Sequence, residues 1–393
     1  MPDYRILPVT DAKIKRAFLA APGAVLKDNP HFVAPLTMDA KHRLEPEKHP
    51  FYGHGEAAFW VALNSNDQPI GRISAQINKR HQNRYGKGDG HFGSIAGEDD
   101  PALYRDLLRT AEAWLKERGC NLAIGPASLS VNEEFGLLVD GFDTPSMMLM
   151  GYEPAWAGGH VEAAGYTKAK DLIAYRYDPR QGLPRRVTAF AAKLEQVDGA
   201  HIRSFDKRSF DLDLAAILAV FNDAWSENWG YVPMSEMEIK ALADAFKTIA
   251  DYGLIFIVEI KGRPVGMAAS LPNVNEALAG LSGASSPLTL LKFLWRLKVR
   301  KPKSARILLM GVVKDIQADL ALGPLVSMSL VKALGDGHVE RGYENMEMSW
   351  ILEDNIPMRR IAESGGAEAY KTYRVYQKAV SYTHLTLPTI YSV

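Results

Sequence analysis

The strongest constraint on this chain's fold is that it contains the same pattern twice. The stretch Ala57–Asn78, AAFWVALNSNDQPIGRISAQIN, reads as strand, polar turn and strand, because apolar residues alternate on either side of a turn-forming centre. Leu254–Asn275, LIFIVEIKGRPVGMAASLPNVN, repeats that pattern, and Pro69-Ile70-Gly71 answers Pro264-Val265-Gly266 at a spacing of 195 residues. A second landmark recurs near the end of each half. Val161–Tyr177 and Ile361–Gln377 both run from a helix tail through a glycine stop into a strand rich in aromatics, with Gly165 and Gly365 spaced by 200 residues. So long a period is not a solenoid repeat. It predicts two copies of one α/β domain, residues 1–180 and 185–380, divided at the Pro- and Gly-punctuated DPRQGLPRR, Asp178–Arg186. Within each copy the expected order is helix, hairpin, strand, helix, strand, helix, strand, which makes a mixed sheet flanked by helices. Residues 381–393, SYTHLTLPTIYSV, share no pattern with what precedes them and read as translated sequencing adapter rather than fold.

Composition sets aside several classes of function. Lys+Arg and Asp+Glu stand at 46 each in 393 residues, so no net field draws nucleic acid to the chain. The single Cys120 excludes an internal disulfide and, opening an apolar strand, reads as a buried small hydrophobe. No segment approaches the ~20 apolar residues of a membrane span, and the first residues carry no signal-like apolar run, so a cytoplasmic protein is expected. GDGHFG, Gly88–Gly93, matches a dinucleotide fingerprint in letters only, since it leads into a strand instead of a helix. His49 and His54 flank PFYG without a Cys pair or HExxH nearby, and no metal is expected.

The polar run GPASLSVNEEFGLLVDGF is where chemistry concentrates. Gly125-Pro126 ends an apolar strand, so Ser128, Ser130, Asn132, Glu133 and Glu134 emerge at its C-terminal edge, where α/β sheets bind ligands. Two readings follow: a loop held by its own Ser/Asn hydrogen bonds, or an acceptor pocket in which Glu133 takes a proton from an amine. His54 and Glu56 stand at the mouth of the first hairpin as further substrate contacts. Glu347 and Ser349 share one strand face, which makes Glu347 a second base candidate beside Asn355. In LTLLKFLWRLKVRKPK, Leu288–Lys303, helical spacing aligns Lys292, Arg296 and Arg300 beside apolar residues and Trp295. That pattern is either a helix docked on its own domain or a peripheral membrane-surface element.

An antiparallel hairpin followed by βαβ is the plan of the GNAT acyltransferase superfamily. HPFYGHGEA, GPASLSVNEEFGLLVDGFDTP, AGYTKAKDLIAY and SWILEDNIPMRRIAESGGAEAYKTYRVY resemble a bacterial family of tandem GNAT-like proteins whose members include proposed ceramide synthases. The likeness spans roughly residues 1–380. It implies an N-acyltransferase that moves an acyl group from acyl-CoA, or from acyl carrier protein, to an amine such as a long-chain amino alcohol. It also implies coenzyme A held by backbone N–H groups at a helix N-terminus. By resemblance that cradle falls to Val312, Val313, Ala321, Gly323 and Leu325, with Asn355 nearby, which assigns the thioester to the second half and the acceptor to the first. The sequence departs from the pattern: aligned on Gly323, the loop reads Ala318-x-x-Ala321-x-Gly323, without the family's basic or amide residue and first glycine. The superfamily's usual tyrosine acid is Ala362 here, leaving Tyr370 or Tyr373 as substitutes, with core packing as their other role. GYEPAWAGG departs as well, at Glu153 and Trp156. The first half has no glycine cradle, only the acidic GEDDPALYRDLL. These departures give the contrasting reading, a non-catalytic small-molecule or lipid-binding protein with a degenerate coenzyme A site.

Overall fold

The computed structural model describes residues 3–380; the stretch 381–393 lies outside the described residues. Thirteen strands join in one sheet: β1 Tyr4–Pro8, β2 Gly55–Asn64, β3 Pro69–Asn78, β4 Asp89–Gly97, β5 Leu122–Gly125, β6 Leu137–Asp140, β7 Thr167–Tyr177, β8 Ala200–Ser204, β9 Ile255–Ile260, β10 Arg263–Pro272, β11 Ser304–Val312, β12 Asn345–Leu352 and β13 Glu368–Ala379. Each half runs through four antiparallel strands, β1–β4 or β8–β11, then crosses by a long helix to a fifth strand parallel to the fourth. The order expected from sequence omitted the opening strands β1 and β8, each only five residues long and half-buried.

The repeat holds to single residues in the hairpins. In β3, Ile70 is skipped in the register between Leu63↔Pro69 and Ala62↔Gly71. In β10, Val265 is skipped between Pro264↔Glu259 and Gly266↔Val258. Each hairpin thus has a one-residue bulge next to a proline that cannot donate to the ladder. The glycine landmark needs a correction. Gly165 has φ +90°, and its counterpart is Gly366 at φ +91°, whereas Gly365 keeps φ −75° as the helix cap. In both places the next residue closes the helix end, Tyr166 N on Val161 O and Ala367 N on Ala362 O, so the left-handed glycine is what turns the chain into the last strand.

Those last strands are exchanged. Across the sheet the order is β1-β2-β3-β4-β5-β13-β7-β12-β11-β10-β9-β8, with β6 paired to β13 off that path. The final strand of the second half therefore lies against β5 of the first, and β7 lies against β12 of the second. The aromatics explain the exchange physically. Tyr373, Val375 and Tyr376 of β13 are buried among first-half residues such as Ile124, Leu137 and Leu138, while Tyr175 and Tyr177 of β7 are buried in the second-half core. A division near residue 180 separates sequence but not sheet.

The fourth and fifth strands of each half pair only briefly. β4 and β5 are joined at Asp89–His91 with Leu122–Ile124, and β11 and β12 at Ser304–Ile307 with Asn345–Met348. Beyond those points the parallel strands separate, and each half has a wedge in its sheet. Helix Pro101–Glu117 backs the first wedge with a buried stripe of Leu103, Leu107, Leu108, Ala111 and Leu115, spaced for one helix face. Helix Leu322–Glu340 backs the second with Val326, Leu330 and Leu334.

Candidate active site

The loop from β5 to β6 is built to hold two carboxylates in place. Ala127 N donates to Phe92 O (2.8 Å), Ser128 N to Glu134 O (2.8 Å) and Gly136 N to Pro126 O (2.9 Å), fastening the loop to β4 and to itself. At its tip, Ser130 Oγ accepts from Asn132 N, and Asn132 Nδ2 donates to Val232 O. Ser130 and Asn132 therefore hold the loop, as one of the two sequence readings expected. Glu133 and Glu134 then meet Arg43, which follows helix Thr37–His42. Arg43 Nη1 lies 2.8 Å from Glu134 Oε1, and Arg43 Nε lies 3.3 Å from Glu133 Oε2. His49 completes the group, with Nε2 3.6 Å from Glu133 Oε1. Its Nδ1 accepts from Phe51 N, so the ring proton sits on Nε2, facing the carboxylate.

This arrangement drives the two neighbouring carboxyls apart. Burial pushes Glu133 up to about 8, against the pull of Arg43, with Glu134 and Glu238 adding to the rise. Burial acts on Glu134 too, but the Arg43 charge and hydrogen bond outweigh it and hold that carboxyl below its usual range. Burial, then Arg43, lowers His49 to about 4, so the ring is neutral near pH 7. His54 stands beside the group, 3.7 Å from Glu238 Oε1. A carboxyl titrating near neutrality next to one fixed as an anion is the environment of a general base beside an electrostatic anchor.

Glu134 also lines a cleft at the first-half wedge. Ser94, Ile95 and Ala96 of β4 form one wall, and Pro126, Ser128 and Gly136 the other. Pro22 of the first helix and Phe32, Val33 and Pro35 of the connection that follows it cover the cleft, and Leu149, Met150, Tyr152 and Glu153 close it from the loop after β6. Its polar groups converge: Ser128 Oγ is 3.4 Å from Glu134 Oε2, and Leu138 N donates to Glu153 Oε2 at 3.0 Å. Burial raises Glu153 to about 7. Arg72, on β3, has its guanidinium over the Phe18 ring at 4.9 Å, and its buried Nε has no hydrogen-bond partner among the described residues.

The second-half wedge is closed. Glu347 is fully buried, accepting from Ser349 Oγ and Tyr370 OH, with Arg306 Nε at 3.8 Å. Arg306 in turn donates to Met148 O (2.7 Å) and Ser349 O (3.0 Å). Met148 N donates to Asn273 Oδ1 and Asn275 Nδ2 to Ser146 O, so residues 146–149 of the first half lie across β10, β11 and β12. Tyr373 is buried with its hydroxyl on Ser146 Oγ. Glu347 and Tyr373 are sealed structural residues rather than a base and an acid open to substrate.

The expected phosphate cradle is also filled. Asp319 Oδ1 accepts from Ala321 N (2.8 Å) and Leu322 N (3.0 Å), while Gly323 N donates to Asp319 O (2.9 Å). A Cβ on Gly323 would come within 2.8 Å of Ile316 O, so this glycine serves the close approach of the preceding helix. Val313 N is bonded to Val265 O, Val312 pairs with Gly266 and its carbonyl accepts from Gln317, and Leu325 lies in the first helical turn with its carbonyl accepting from Ser329. Asn355 caps helix Ile356–Ser364 by accepting from Met358 N. In the first half the equivalent helix is capped by Asp100 through Ala102 N. These residues do not fit a pyrophosphate. Glu56 is also displaced from its expected role, since it is exposed and ion-paired with Arg118 at 3.1 Å. Among the described residues no His, Cys, Asp or Glu cluster could hold a metal, and no helix is long and apolar enough to cross a membrane.

Arg43, Arg72 and Glu153 were not identified as site residues from sequence, and His49 was weighed only as a metal ligand. The signal for Arg72 was available, as a lone charge within the otherwise uncharged strand PIGRISAQIN. Arg43 had none, because it is 91 residues from Glu134.

Two wedge-bearing halves joined into one sheet through exchanged strands define a tandem GNAT protein. The fold is shared over 97% of the chain with a tandem GNAT protein from the clavulanic acid biosynthesis pathway (TM-score 0.55, 11% identity, 99% of that chain). A GCN5-related N-acetyltransferase from Sphaerobacter thermophilus matches as well (TM-score 0.55, 13% identity, covering 97% of this chain and 98% of that one). No family model matches the chain. Among curated proteins it is 44% identical over 380 residues to the bacterial ceramide synthase of Caulobacter vibrioides, covering 96% of this chain and 98% of that protein. It is 38% identical over 370 residues to protein YghO of Escherichia coli, covering 93% of each. The chain belongs to this bacterial family of tandem GNAT-like proteins.

Proposed function

We propose that the protein is an N-acyltransferase whose acceptor and acyl chain meet in the first-half cleft, and that the acceptor is a long-chain amino alcohol. The observation that carries this reading is a cleft of mixed apolar and polar lining that includes Glu134, whose neighbour Glu133 shares Arg43 with it and is a carboxyl held near pKa 8. An amine arrives at neutral pH as ammonium, which cannot attack. The ionised fraction of Glu133 takes its proton, with His49 and Arg43 holding the carboxylate in place. The free nitrogen then bonds to the thioester carbonyl, the C–S bond breaks, and the thiol leaves with a proton. Glu134 and Glu153, around Arg72, suit the hydroxyl and amine groups of an amino alcohol, and Phe32, Val33, Pro35 and Met150 suit its chain. The name of the Caulobacter vibrioides relative supports this substrate class.

The donor is an acyl thioester on coenzyme A or acyl carrier protein. Because Asp319 and Asp100 occupy the helix N-termini, the adenosine-phosphate end of coenzyme A has no cradle among the expected residues. That same observation favours the second reading, a lipid-binding protein without transferase activity. Incubating the protein with palmitoyl-CoA or palmitoyl acyl carrier protein and a long-chain amino alcohol, then measuring N-acyl product by mass spectrometry, separates the two. The proposal expects an amide that requires the free amine. Absence of product with both donors, despite retention of the amine by the protein, would leave the binding reading.

A further inference from the structure

Outside the cleft, one helix presents an apolar face to solvent. Helix Pro287–Trp295, continued by a wider turn over Arg296–Arg300, buries Phe293 and Leu297 against Ala277, Leu278, Leu281 and Ala284. On its other side Leu288, Leu291, Trp295 and Val299 are 77%, 66%, 53% and 66% exposed. Spacings of three, four and four put them on one stripe. Lys292, Lys298, Arg300 and Lys301 surround the stripe, and no Asp or Glu occurs between Ala277 and Lys314. The basic alignment expected from sequence is only partly available, since Arg296 Nη1 donates to Ala277 O and Ala279 O and Lys298 Nζ to Thr248 O.

We infer that this face docks on an anionic bilayer surface. An exposed apolar stripe with a tryptophan, bordered by lysine and arginine and lacking carboxylates, matches the chemistry of a lipid interface. Its position gives the docking a consequence. The layer beneath the helix packs on Val33 and Leu36, and Phe32, Val33 and Pro35 of that same segment line the cleft. Gly283 sits so close to Pro35 that a Cβ there would fall 2.5 Å from its carbonyl. One layer of chain therefore separates the docked face from the cleft, and an amine anchored by its tail in the leaflet has a short path to the cleft that Glu134 lines. This last step rests on the acylation reading; the docking does not.

The test is flotation of the full chain with vesicles of phosphatidylcholine alone or mixed with phosphatidylglycerol. The parent protein is expected to float with the anionic vesicles and less so at high salt. Two variants, Leu291→Ser/Trp295→Ser/Val299→Ser and Lys292→Glu/Arg300→Glu/Lys301→Glu, are each expected to lose at least about tenfold in partitioning. A parent protein that stays unbound on anionic vesicles, or variants that float as it does, would overturn the inference. Acylation of a detergent-solubilised long-chain amino alcohol in vesicle-free buffer is followed in parallel. Transfer without flotation defeats the docking alone, and flotation without transfer defeats the acylation reading alone.

Discussion

Glu133 and Glu134 are adjacent in sequence and opposite in proton affinity, and that difference is measurable. Glu133 must be ionised to act as base, so transfer is expected to rise with pH up to about 8 and then level off. Glu133→Gln should lower kcat roughly a hundredfold or more with little change in KM, since a general base contributes about 10²–10⁴. Stability should move the other way. The native carboxyl holds its proton up to about 8, against 4.5 when unfolded, so the folded form binds more protons between those values. The stability this confers is present below about 4.5 and is lost as pH rises through 8. The Gln variant should lack that loss, so its Tm relative to the parent should climb from about pH 4.5 and level off above about pH 8. Arg306 gives the contrasting case. Removing it would leave Glu347 fully buried without its cation, so Arg306→Ala should cost about 3–5 kcal/mol in denaturant unfolding. Residue chemistry was legible in sequence where it is local, as in the Ser130–Asn132 loop. It was not where partners are distant: the burial of Glu347 depends on Met148, 158 residues from Arg306.

At the scale of elements, the hairpins and the helix-to-strand turns were legible because their signals are compact and occur twice. The one-position error at the second turn is instructive. Sequence cannot distinguish Gly365 from Gly366, whereas φ can, and only Gly366 is left-handed. Gly366→Ala should destabilise by about 1–2 kcal/mol through the Cβ penalty at positive φ, and Gly365→Ala by clearly less; chemical unfolding of both variants checks this. The helix N-terminus at Leu322 was misjudged because a loop short of glycine can still bind phosphate by pattern, while the competing carboxylate, Asp319, looked like an ordinary loop residue. From just ahead of the helix it accepts two backbone N–H groups, of Ala321 and Leu322. Asp319→Ala should therefore cost about 0.5–2 kcal/mol in unfolding free energy and leave acyl transfer unchanged. A marked change in KM for the thioester, in either direction, would instead tie this helix end to the donor.

For the whole molecule, the repeat predicted two domains but could not reveal how their sheets join. Equivalent strands carry equivalent patterns, so β7 and β13 suit either edge, and only the neighbours of Tyr175 and Tyr373 decide which edge each takes. The exchange has a consequence for cooperativity. If each half kept its own last strand, residues 1–180 and 185–380 could fold apart. As built, residues 1–180 alone would leave β5 without its neighbour β13 and strip Tyr373, Val375 and Tyr376 from the first-half cores. They would also leave β7 without β12, with Tyr175 and Tyr177 facing no core. Each large apolar side chain so exposed forfeits about 1.5–3 kcal/mol, which together exceeds much of a domain's usual 5–15 kcal/mol. The isolated first half is thus expected to be insoluble or unfolded by circular dichroism, and the intact chain to unfold in one transition with matching far-UV and tryptophan midpoints. A soluble, folded 1–180 fragment, or two separated transitions in the intact chain, would mean that the exchanged strands do not couple the halves. The catalytic proposal depends on that coupling, because β13 borders the β5 edge from which the Glu133 loop springs, and the segment Ser146–Tyr152 that closes the cleft is pinned to the second half through Arg306, Asn273 and Asn275.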